Sequence, residues 1–124
     1  MELIVKKCDS CGAVVKAIKD CKCPGCGFVC CDKPMRELKP NSVDAAVEKH
    51  VPQYEVKGDK IVATVNHVME DEHYIEWISL VTENTEDCRY FKPGKVATAE
   101  FDYVPGSKLY AYCNKHGLWE NDVK

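Results

Sequence analysis

The apolar positions between residues 60 and 113 fall into four short runs, 60–67, 73–81, 97–104 and 108–113. Each is rich in Val, Ile, Thr, Tyr, Phe or Trp, whose branched or flat side chains pack well on a pleated surface. Gly58-Asp59, Pro93-Gly94 and Pro105-Gly106 punctuate them with turn chemistry. Short strands separated by regular turns predict a mainly-β domain, an immunoglobulin-like β-sandwich. The one stretch with helical character, residues 43–49, is too short to pack as a helix.

Residues 1–38 carry no such pattern. They hold two C-x-x-C-G turns, Cys8-Asp9-Ser10-Cys11-Gly12 and Cys23-Pro24-Gly25-Cys26-Gly27. The glycine allows the backbone twist that points amide N–H groups at sulfur. A module this small buries little core, so a bound metal must supply part of its folding free energy. The expected organisation is a cysteine-rich metal module over 1–38 and a sandwich domain over 39–124, with 39–49 as connector.

Composition narrows the chemistry. The chain has 124 residues, a formal net charge of −3 and a pI of about 5.8. A nucleic-acid binder needs a basic face to neutralise phosphates, so that class is excluded. No apolar run approaches the roughly 18 residues of a membrane span. The first residues are too short an apolar run for a signal peptide, and a cytoplasmic location is expected. Nine cysteines, seven of them between Cys8 and Cys31, then read as metal ligands rather than disulfides.

The four histidines are His50, His67, His73 and His116. His67 ends one predicted strand and His73 begins the next, so a hairpin brings both imidazoles to one end of the sandwich. Cys113 and His116 form a C-x-x-H turn, which can place a thiolate and an imidazole around one ion. His50 precedes Val51-Pro52, where proline holds the preceding residue extended.

In Glu48-Lys49-His50-Val51-Pro52, in His67 to His73 running into Tyr74-Ile75-Glu76-Trp77-Ile78, and in Cys113-Asn114-Lys115-His116-Gly117-Leu118-Trp119, the chain resembles the superoxide reductase centre of the desulfoferrodoxin family. Phe28-Val29-Cys30-Cys31-Asp32-Lys33-Pro34-Met35 resembles the end of that family's desulforedoxin-like module. Val68 stands where the family often has proline. The resemblance implies a non-haem iron held by His50, His67, His73, His116 and an axial Cys113, which reduces superoxide by one electron to hydrogen peroxide. An axial thiolate pushes electron density through iron, as in thiolate-ligated haems. Blue-copper sites use two histidines, so four argue against copper. The resemblance further implies Lys49 as the cation near the open iron position and Glu48 as a carboxylate able to close it. Tyr74, Trp77 and Trp119 are read as core and site-lining residues.

By the same resemblance a second, rubredoxin-like FeS4 iron would use Cys8, Cys11, Cys30 and Cys31. The residues themselves leave a competing tetrad open. Cys8, Cys11, Cys23 and Cys26 read equally well as a zinc ribbon. The metal there is iron or zinc; the expected electron donor is a rubredoxin-type protein or other reductase; the expected assembly is a homo-oligomer. Cys88 is expected as a free thiol on a loop, and Cys21 has no assigned role. The rival readings are an electron carrier without a substrate and a zinc-ribbon docking module.

Overall fold

Residues 60–65 read Lys-Ile-Val-Ala-Thr-Val, and in the computed structural model Ile61, Ala63 and Val65 are fully buried while their neighbours are not. Residues 2–24 and 27–124 are described. They form two compact units, Glu2–Lys39 and Pro40–Lys124. Among the described residues no helix is long and apolar enough to cross a membrane.

The smaller unit contains β1 (Val5–Lys7), β2 (Val14–Lys16), β3 (Val29–Cys30), β4 (Lys33–Pro34) and β5 (Arg36–Glu37). A three-stranded sheet runs in the order β2-β1-β5, and β3 pairs with β4 as a separate hairpin. The two residues between β3 and β4, Cys31 and Asp32, both have positive φ, 55° and 60°. Two such residues make the turn whose twist matches that of the flanking strands. Among the described residues its buried apolar side chains are Val5, Cys8 and Leu38. So small a core cannot offset the ordering entropy of the segment without help, which is the argument for a metal there.

The larger unit is a sandwich of seven strands: β6 (Gln53–Lys57), β7 (Lys60–Val65), β8 (Ile75–Val81), β9 (Glu86–Tyr90), β10 (Ala97–Asp102), β11 (Lys108–Cys113) and β12 (Gly117–Asp122). One antiparallel sheet has the order β10-β7-β6 and the other β12-β11-β8-β9. Ile61, Ala63, Val65, Phe101, Ile78, Leu80, Leu109 and Ala111 fill the space between them. Burying each large apolar side chain contributes roughly 1.5–3 kcal/mol. Between Tyr112 and Cys113 the β8–β11 register slips, leaving Glu76 as an extra residue on β8. This bulge lets Ile75 and Ile78 both face the core and sets Cys113 opposite Ile75.

Several expectations shift. The strand predicted over 60–67 stops at Val65 and the one over 73–81 starts at Ile75, because His67 and His73 belong to the loop between. Strands β6, β9 and β12 were not predicted. β6 and β9 are edge strands with mostly exposed side chains, which blurs the alternation. Cys88 forms no disulfide, as expected, but it lies half-buried on β9 rather than on a loop. The connector is stitched into the sandwich from its third residue onward: the Asn41 N–H donates to Leu118 O, and its side chain bonds both the N–H and the carbonyl of Glu120. Asn41 has φ 58°, a conformation asparagine tolerates. Within residues 43–49 only a single 3-10 turn forms, Val47–Lys49.

Candidate metal centres

The four histidines come from three places. His50 caps the Val47–Lys49 turn, His67 and His73 flank the β7–β8 loop, and His116 lies in the β11–β12 turn. Their rings close into a circuit. Centroids are 4.7 Å apart for His50 and His67, 4.5 Å for His67 and His73, 5.0 Å for His73 and His116, and 4.9 Å for His116 and His50. Every pair is edge-to-face, with interplanar angles from 71° to 87°. Four imidazoles turned edge-on to one another aim their nitrogens at a common point.

The spacing of donor atoms fits an ion at that point. His50 Nε2 and His116 Nδ1 are 3.0 Å apart. Two nitrogens bound at right angles with bonds of about 2.1 Å would be separated by about 3.0 Å. Cys113 Sγ lies 3.4 Å from His67 Nε2 and 3.8 Å from His116 Nδ1. One donor atom from each of the five residues falls within 4.8 Å of all the others. His73 Nε2 is buried and has no hydrogen-bond partner, an arrangement that costs free energy unless something binds it.

Ring orientation is fixed from outside. The Nδ1–H groups of His50 and His67 are placed to donate to the carbonyls of Ala46 and Val68, leaving Nε2 of each free for a metal. His50 also stacks on Trp119, 4.8 Å between centroids, and Trp119 Nε1–H donates to His116 O at 3.0 Å. Burial holds His50, His67 and His73 below the ordinary histidine pKa, so each is neutral and able to ligate near pH 7. Burial pushes the Cys113 thiol up, while the backbone N–H groups of Lys115 and His116 pull the other way. A cation would complete the deprotonation.

A cleft of about 470 Å3 opens beside the histidines, and Asp44, Lys49, Val68 and Glu70 share its lining. Lys49 is among them and Glu48 is not. Asp44 and Glu70 were not singled out from the sequence; no motif marks them, because their place depends on how the loops close. The loop carrying His67 and His73 is pinned despite having valine at 68. Glu70 and His73 exchange backbone hydrogen bonds of 3.0 and 3.1 Å, and Gly94 N–H donates to Met69 O at 2.8 Å. Tyr74 lies beside His73, whereas Trp77 stacks on Tyr112 at 5.8 Å.

In the smaller unit the sulfurs of Cys8, Cys11, Cys30 and Cys31 lie within 4.8 Å of one another. Cys11 and Cys30 are 3.6 Å apart, and Cys30 and Cys31 4.0 Å. Tetrahedral sulfurs with bonds of about 2.3 Å would be about 3.8 Å apart. The first knuckle forms through Gly12, φ 83°, whose N–H donates to Cys8 O. Backbone N–H groups, that of Cys11 foremost, bring the Cys8 thiol down to about 6. Crowding by Cys11 and Cys8 pushes Cys30 up to about 12 and raises Cys31. Four thiolates cannot share so small a space without a cation between them. Of the competing set, Cys23 is disulfide-bonded and Cys26 lies outside the described residues. Cys21 is free and exposed.

The chain is similar to known proteins along nearly its whole length. The profile of the Desulfoferrodoxin family matches residues 42–122. The chain is 41% identical to a desulfoferrodoxin of Syntrophotalea carbinolica, over 98% of this chain and 97% of that one. It is 40% identical to a desulfoferrodoxin of Nitratidesulfovibrio vulgaris, over 96% and 95%. Among solved structures it is similar to the superoxide reductase from Treponema pallidum, with a TM-score of 0.73, 26% identity, and coverage of 98% of this chain and 100% of that one.

Proposed function

The chain belongs to the desulfoferrodoxin family, and from that premise we propose that it is a superoxide reductase, reducing superoxide by one electron to hydrogen peroxide. The observation that carries the reading is the closed circuit of four imidazoles with Cys113 among its donors and a lysine-bearing cleft beside it. Ferrous iron held by His50, His67, His73, His116 and Cys113 would supply the electron. Imidazole donors suit iron, and a single thiolate makes such a centre electron-rich.

The remaining work falls to the chain's own groups. Neutral imidazoles add no charge, so Cys113 is the one anionic ligand. The N–H groups of Lys115 and His116 direct positive ends of dipoles at its sulfur and hold it in place. Lys49 lines the cleft and attracts a small anion towards the histidines. The cleft opens to solvent, which supplies the protons that peroxide requires. Glu48 is exposed on the 3-10 turn, beside His50. Its proposed role is to close the site after turnover. Cys8, Cys11, Cys30 and Cys31 would hold a second iron, or zinc, with no position left for substrate. Such a site stores or relays an electron if the metal is iron. A rubredoxin-type protein or other reductase would return the electron spent.

The test is a single turnover. Iron-loaded, reduced protein mixed with superoxide should yield peroxide and oxidised protein with little dioxygen, and continued turnover should require an added electron donor. Sustained dioxygen release without a donor would mark a dismutase instead.

A further inference from the structure

The ladder between β8 and β11 ends where Ile75 faces Cys113. Past that point the backbones part, one into the loop that carries His73 and the other into the turn that carries His116. A side chain bridges them. Asn114 Oδ1 accepts from the Tyr74 N–H at 3.0 Å, and Asn114 Nδ2 donates to Glu72 O at 3.0 Å. The Asn114 N–H also donates to Tyr74 O at 3.3 Å. A carboxamide offers the same donor and acceptor as a peptide group, so here it extends the ladder by one step.

The two residues it grips stand on either side of His73. His73's own backbone is taken up by Glu70. The backbone around this histidine is therefore fixed at 72, 73 and 74, while its buried Nε2 has no hydrogen-bond partner. His50 and His67 are oriented through ring hydrogen bonds to carbonyls of neighbouring residues. Around His73 the corresponding long-range tie runs through Asn114, the residue directly after Cys113.

We propose that Asn114 is a positioning residue of the histidine-cysteine centre: its carboxamide sets the place and angle of His73 relative to Cys113 and His116. This rests on the metal-centre reading above. Removing outer partners of metal ligands typically weakens affinity about 10–100-fold.

The experiment uses the full chain with Asn114→Ala and Asn114→Asp, the latter nearly isosteric and retaining the acceptor for Tyr74 but not the donor to Glu72. Iron affinity is read by competition with a chelator at the thiolate charge-transfer band, alongside the electron paramagnetic resonance of the oxidised centre and the melting of metal-free protein. Asn114→Ala should bind iron at least about 10-fold more weakly, with a shifted band and altered resonance, and Asn114→Asp should fall between it and the parent. If Asn114→Ala does not fold, Asn114→Asp alone decides. Variants that lose thermal stability but keep parental affinity, band and resonance would overturn the proposal and leave Asn114 a purely structural residue. A parent protein that takes up no iron at this centre would overturn the function reading beneath it instead.

Discussion

Lys49 is exposed, precedes His50 and lines the cleft in front of the imidazoles. Its charge there is partly offset by Asp44 and Glu70, so it should steer rather than trap an anion. Lys49→Ala should slow the second-order reaction with superoxide about three- to tenfold at low ionic strength and flatten its salt dependence, since exposed charges are screened beyond about 10 Å at 0.1 M salt. Iron content should not change. An unchanged rate and salt slope, measured by stopped flow, would return Lys49 to the ordinary solvated lysines. The candidate ligands, unlike Lys49, are legible in sequence because each announces itself by type and spacing: a C-x-x-H turn, two histidines bracketing a short loop, a histidine ahead of Val-Pro. Glu70 and Asn114 are not legible in that way. A glutamate or asparagine on a turn is commonplace, and what singles these out is a cleft and a pair of hydrogen bonds that exist only once three separate loops have closed.

Among the elements, β7, β8, β10 and β11 were legible in the apolar pattern, and β6, β9 and β12 were not. β7 and β8 carry strong apolar signals because one or both faces are buried, whereas β6 and β9 present charged residues such as Glu55, Lys57, Glu86 and Arg89 to solvent. Charged edges also discourage pairing with a second chain. The bulge at Glu76 was invisible too, since an inserted residue leaves the apolar run unbroken. The inward faces of the two sheets hold the scaffold on which the centre depends. Phe101 on β10 is 2% exposed and packs in the core between the sheets. Phe101→Ala should destabilise the sandwich by about 3–5 kcal/mol through lost burial and the cavity left behind. Urea unfolding followed by tryptophan fluorescence measures this. A loss below about 1 kcal/mol would mean that the two sheets collapse onto the gap, and that the core is less tightly specified than its burial indicates.

At the scale of the whole molecule, each unit contains a complete donor set. The five residues of the histidine-cysteine centre all lie between His50 and His116, and the four clustered cysteines all lie between Cys8 and Cys31. Spacing alone could not decide between Cys30-Cys31 and Cys23-Cys26, because both pairs complete a tetrathiolate on paper; the choice depends on the tight turn at Cys31 and Asp32, which brings adjacent cysteines to bear on Cys8 and Cys11. Since neither donor set borrows from the other unit, the two centres should load independently. A fragment of residues 40–124 should fold and bind about one iron, with the thiolate band of the full chain, because metal binding needs the folded sandwich and nothing before it. In the full chain, replacing Cys30 and Cys31 with serine should abolish the tetrathiolate spectrum and leave the histidine-cysteine centre intact, whereas Cys23→Ser should leave both. Metal analysis with absorption spectra of the fragment and the variants distinguishes the outcomes. A fragment that folds yet takes up no iron would break the assignment of the five ligands. Loss of the tetrathiolate spectrum in Cys23→Ser, with its survival in the Cys30, Cys31 double variant, would move the second metal to the competing tetrad and make the front module a zinc-ribbon-like knuckle rather than a rubredoxin-like one.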